Sequence, residues 1–88
     1  MKTVYKYLVS LREDLWHDIP VGARFVHVDR DTREEALAVW AEVDPNAPRE
    51  KVQFAAHGTG GDVPDFKTYV GSVKVGAYMW HVYMEKRP

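Results

Sequence analysis

Cysteine is absent from this 88-residue chain, so neither a disulfide framework nor a thiolate metal site or nucleophile is open to it. The same absence agrees with a reducing compartment. Long hydrophobic runs are missing too. Met1-Lys2-Thr3 leads straight into an alternating segment, with no apolar core of a signal peptide and no span near the roughly 20 apolar residues of a membrane helix. The expectation is a chain that is neither secreted nor membrane-bound. Net charge is almost absent, at −1 from 13 acids and 12 bases, which leaves no bulk field to draw the protein toward nucleic acid or anionic lipid. Internal repeats, low-complexity tracts and long linkers are also lacking, and a chain this short cannot divide its burial between two cores. Residues 1–88 are therefore expected to form one domain.

What the chain does have is bulk. At 45% hydrophobic and 12% aromatic it lies far from the composition at which folding fails for want of apolar burial. The charges are unevenly spread. Residues 29–44 hold six acids (Asp29, Asp31, Glu34, Glu35, Glu42, Asp44) against Arg30 and Arg33, leaving ten bases and seven acids elsewhere.

Period-two runs of β-branched and aromatic residues predict strands over Thr3–Val9, Arg24–Asp29, Lys51–His57, Thr68–Val75 and Tyr78–Met84. Leu15–Asp18 reads as a short extra strand. Ile19-Pro20-Val21-Gly22 punctuates the chain, Asp44-Pro45-Asn46-Ala47-Pro48 reads as a turn, and Gly76-Ala77 as a tight hairpin. Asp31–Asp44 is ambiguous on its own residues. Thr32 with Glu35 makes a capping-box pattern ahead of Ala36, Leu37, Ala38 and Trp40, which fits a helix, while Leu37, Val39, Ala41 and Val43 alternate as in a strand.

Six short segments carry a resemblance: Val4-Tyr5-Lys6-Tyr7, Pro20-Val21-Gly22-Ala23, Trp40-Ala41-Glu42-Val43-Asp44-Pro45 with Ala47-Pro48, Gly58-Thr59-Gly60, Tyr69-Val70-Gly71-Ser72-Val73 and Trp80-His81-Val82-Tyr83. In this order they are similar to a family of small uncharacterised domains encoded by bacteriophages, particularly those infecting actinobacteria. The resemblance implies a strand over residues 36–44, a phage origin and a host-cytoplasmic location, and it carries no functional residues across. The chain departs from that pattern in its longer charged stretch over residues 29–35.

The fold expected is a mainly β domain, a small antiparallel curled sheet or barrel of five to seven strands, with a helical turn near residues 32–38 left open. For chemistry, His57-Gly58-Thr59-Gly60-Gly61 stands out, because glycines permit close backbone approach and exposed N–H groups can cradle an anion. It lacks the Gly-Lys-Ser/Thr ending of a P-loop and the spacing of a dinucleotide fingerprint, so a φ > 0 connection is the favoured reading over a ligand loop. His17, His27, His57 and His81 fall at no metal-ligand spacing, and each lies in or beside an alternating run where one hydrogen-bond partner would satisfy it. Convergence of His57 with His81 across neighbouring strands is the sharper alternative.

Asp29, Asp31, Glu34 and Glu35 concentrate oxygen ligands, but Glu34 stands where an EF-hand needs glycine, and Arg30 and Arg33 intrude. A solvated charged turn, or an acidic patch for a partner's basic surface, fits better. Trp16, Trp40 and Trp80 raise base stacking, yet Lys2, Lys6, Arg24, Lys51, Lys67 and Lys74 are scattered rather than grooved, and core packing accounts better for the aromatics. Ser10 and Ser72 sit in no nucleophile-elbow context. The reading is a non-enzymatic interaction module without cofactor or metal, meeting a host or phage protein or self-associating through a sheet edge. Nucleic-acid binding is the alternative, followed by a small anion-binding enzyme that uses the glycine loop.

Overall fold

The computed structural model describes residues 1–13, 15–31 and 36–87, and seven strands account for most of them. They are β1 (Thr3–Val9), β2 (Trp16–Pro20), β3 (Arg24–Asp31), β4 (Ala36–Val43), β5 (Arg49–Gly58), β6 (Thr68–Val75) and β7 (Tyr78–Lys86). Every pairing is antiparallel, in two sheets ordered β1-β4-β3 and β2-β5-β7-β6. The domain is mainly β as expected, with the sheets packed as two layers rather than closed into a barrel. No described residue is helical. Residues 36–38 are strand, which corrects that part of the helical turn left open by the sequence; its remainder, residues 32–35, lies outside the described residues.

β4 is strand for a reason that also explains its ambiguity. It is the middle strand of three, and Leu37, Val39, Ala41 and Val43 are buried in the core while Ala38 is buried on the other face. A strand covered on both sides reads as a continuous apolar run, which periodicity alone cannot tell from a helix.

Between the layers lie Val9, Ile19, Leu37, Val39, Val52, Phe54, Val73 and Val82. Phe54 of β5 ties the sheets together: its ring centroid lies 5.5 Å from Phe25 on β3, 6.3 Å from Tyr7 on β1 and 5.7 Å from His17 on β2. Burying such a ring contributes about 1.5–3 kcal/mol. His17 is the ordinary satisfied histidine, its Nε2 2.9 Å from the Leu8 carbonyl oxygen across the β1–β2 seam. Where edge strands β3 and β6 meet, side-chain packing replaces a ladder. A Cβ added at Gly71 would stand 2.6 Å from Val28 Cγ2, and each strand carries a register shift there, at Phe25/His27 and Tyr69/Gly71.

The turns follow their chemistry. Gly22 and Gly76 adopt φ +85° and +61°, and Gly76-Ala77 closes the β6–β7 hairpin as read from the sequence. Asp44–Pro48 turns as expected, with Asn46 N–H donating to the Asp44 side chain and Ala47 N–H to its carbonyl. Pro20 ends β2 instead of breaking the chain ahead of β3, which an edge strand tolerates because it needs fewer N–H donors.

One connection positions the site. β5 and β6 both run antiparallel to β7, so they are parallel to each other with β7 between them. The chain leaving β5 opposite Trp80 must return along β7 to begin β6 opposite Met84, and residues 59–67 make that crossing.

Candidate functional site

Directly opposed residues of an antiparallel pair project to the same face. The register therefore sets His57 opposite His81, and Ser72 opposite His81 from the other side, all on the outer face of the four-stranded sheet. Tyr83 joins them two positions along β7, with Tyr69 opposite it.

Above this face the crossover begins with a tight reversal. Gly61 N–H donates to the Gly58 carbonyl at 3.1 Å, and Gly60 adopts φ +91°, the value a type II turn requires at its third residue. The glycines thus serve as the φ > 0 connection. They also line a pocket. His57, Gly58, Thr59, Gly60, Gly61, Val63, His81 and Tyr83 enclose an open concavity of about 200 Å³ beneath the crossover. The convergence of His57, His81 and the glycine loop, one of two readings left open above, is the arrangement found.

A chain of polar contacts runs through the site. His81 Nε2 lies 2.9 Å from Thr59 Oγ1, His81 Nδ1 lies 2.8 Å from Ser72 Oγ, and Ser72 Oγ lies 2.6 Å from the Tyr69 hydroxyl. Both ring nitrogens are engaged by hydroxyls, which can donate or accept, so the imidazole is held in place in either tautomer. Lys67, at the far end of the crossover, brings its ammonium to 3.5 Å from His57 Nε2. Tyr83 packs edge-on against both His57 and Tyr69, at 5.7 and 5.4 Å between centroids. This set can hold a polar or anionic group against an aromatic wall. Among the described residues the partners of the His81 imidazole are hydroxyls, with no carboxylate of the kind a serine–histidine nucleophile would use.

Two of the acidic candidates, Asp29 and Asp31, lie elsewhere. Asp29 and Asp31 belong to β3, on the outer face of the three-stranded sheet, with the core between them and the pocket. The solvated turn expected at Asp29–Asp31 is therefore corrected to strand, because β3 continues its ladder with β4 to Asp31. The side chain of Asp31 is only 7% exposed and pairs with Lys6, whose ammonium also sits over the Trp40 ring. Asp29 accepts from Arg30 N–H at 2.8 Å and stands 3.4 Å from His27 Nε2. The Arg30 N–H first, and the His27 side chain second, hold its carboxyl below the usual carboxylate range. Glu34 and Glu35 lie outside the described residues. Among the described residues no three His, Asp or Glu stand together as a metal would require, and no helix is long and apolar enough to cross a membrane.

Tyr69, Tyr83 and Lys67 are site residues that sequence reading passed over, as is Ser72, dismissed there as a nucleophile. For Ser72 a signal existed: a two-residue turn at Gly76-Ala77 pairs Val75 with Tyr78 and, counting back, Ser72 with His81. No curated protein and no solved structure matches the chain. The family described as Domain of unknown function (DUF7352) matches it over residues 1–88, and the chain belongs to that family.

Proposed function

We propose that this domain is a non-enzymatic binding module, encoded by a bacteriophage and working in the host-cell cytoplasm, that engages a host or phage protein through the outer face of its four-stranded sheet. The observation that carries the reading is the Tyr69–Ser72–His81–Thr59 chain beside Tyr83, a half-exposed polar and aromatic patch next to a concavity. Interface cores are enriched in tyrosine and poor in acidic side chains, and the patch around Tyr69, His81 and Tyr83 has that character. The opposite face is less suited, because Lys6 with Asp31 and His27 with Asp29 satisfy one another. Phage origin is supported by the ordered run of segments from Val4-Tyr5-Lys6-Tyr7 to Trp80-His81-Val82-Tyr83.

The enzyme reading has the shared pocket in its favour. The uncharged hydroxyl partners of His81 support holding a group more than activating a nucleophile. Affinity capture from host lysate, repeated after nuclease treatment, tests the proposal. A protein partner that survives nuclease and is lost with Tyr69→Ala, but not with Asp29→Asn, is the expected result. Capture abolished by nuclease would transfer the reading to nucleic acid, and capture lost only with Asp29→Asn would move the binding face to the other sheet.

A further inference from the structure

We infer that the pocket beneath the 59–67 crossover is a site for a tetrahedral oxyanion of the phosphate or sulfate kind, serving as the anion-holding part of the binding face proposed above; its place in a larger interface rests on that reading. The first ground is composition. Among the described residues the walls are two imidazoles, the Thr59 hydroxyl, three glycines, Val63 and Tyr83, with no carboxylate. Asp62, Asp65 and Lys67 of the same crossover do not themselves line the pocket, but the Lys67 ammonium stands 3.5 Å from Nε2 of His57, one of its walls. On the same sheet face the nearest acid along β7 is Glu85, two positions beyond Tyr83 and paired in register with Gln53.

The second ground is a direction that the hydrogen bonds can take. A neutral imidazole has one N–H and one lone pair, so the two hydroxyls on His81 must play opposite parts. When Tyr69 donates to Ser72, and Ser72 to Nδ1, the Nε2–H donates to Thr59 Oγ1. Thr59 then keeps its own proton for the pocket. An anion there favours this sense of the chain, since each donor then points toward it.

The third ground is shape. A planar carboxylate is matched by the two-pronged fork of arginine, and among the described residues no arginine lines the pocket. The Lys67 ammonium beside His57 and the Thr59 hydroxyl are point donors at two different walls, which suits the separate corners of a tetrahedral anion. Glycine at 58, 60 and 61 leaves backbone rather than side chain along that wall, which permits close approach.

The test is an amide NMR titration of the isotope-labelled full chain with sulfate and with phosphate, against chloride at matched ionic strength and against acetate. Saturable shifts at Thr59, Gly60 and Gly61 with both tetrahedral anions are expected. Affinity should fall about tenfold in Lys67→Met and again in Thr59→Val, the loss expected of one charge-assisted or anion-held hydrogen bond. Lys67→Arg and Thr59→Ser should retain binding, and the amide spectrum of each variant reports that it is folded. Shifts equal to those with chloride, acetate binding as tight as sulfate, or unchanged affinity in Lys67→Met would each overturn the assignment. The titration needs no partner, so its failure is distinct from a failure of partner capture with Tyr69→Ala.

Discussion

Two side chains show how single residues tune the domain without belonging to its site. The Tyr7 hydroxyl is buried with no hydrogen-bond partner among the described residues, and burial is the main cause that raises its pKa above the ordinary value. A buried donor left unmade costs more than its removal, while the Tyr7 ring keeps its packing on Phe54 and His17. Tyr7→Phe should therefore stabilise the domain, by up to about 1 kcal/mol in urea unfolding at neutral pH. The raised folded-state pKa favours the protonated form, so that contribution is present below about pH 10 and is lost as pH rises through the folded value; the phenylalanine variant should be spared that alkaline loss. Asp29 behaves oppositely. Its pKa is depressed, chiefly by the Arg30 N–H, so its stabilisation is present above about pH 4 and disappears as pH falls through the folded value. Unfolding measured at pH 5 and pH 3 should show wild type losing more stability than Asp29→Asn over that interval.

At the scale of elements, close approach at the β3–β6 edge makes the sharpest demand. With Val28 Cγ2 only 2.6 Å from where a Cβ would stand, Gly71→Ala forces two edge strands apart. We expect a cost of about 1–3 kcal/mol, with Val28→Ala in the same chain recovering part of it, as a double-mutant cycle by denaturant unfolding would measure. How well elements could be read from the sequence also varied for physical reasons. The β6–β7 hairpin was legible because a Gly-Ala turn sets its register locally, and that register alone places Ser72 beside His81. The shift at Tyr69/Gly71, which brings Tyr69 opposite Tyr83, depends on the meeting with β3 and has no local signature. β4 read equally as helix or strand on its own residues, since it is apolar on both faces. Pro20 looked like a break ahead of β3 because nothing in its neighbours announces that β2 is an edge.

For the whole molecule, the arrangement of sheets decided which candidates could act together. The glycine loop was visible as a motif, and its pairing with His57 and His81 followed once β5 and β7 were neighbours. What stayed hidden was the crossover: only the order β5-β7-β6 requires residues 59–67 to pass over β7, and only that passage brings Lys67 to His57. The same two-layer plan separates Asp29 and Asp31 from the pocket by the thickness of the core, so these two acids and the glycine loop lie on two surfaces. One of them is largely self-satisfied through Lys6 and His27, and the other carries a chain of hydroxyls and imidazole, aromatic walls and a concavity. That asymmetry is what favours the outer face of β5, β7 and β6 as the proposed binding surface. The direct measurement is an NMR titration of the labelled domain with its captured partner. Shifts concentrated at Thr59–Gly61, Ser72, His81 and Tyr83, with β3 and β4 unmoved, are predicted; shifts centred on His27, Asp29 and Trp40 would contradict the account.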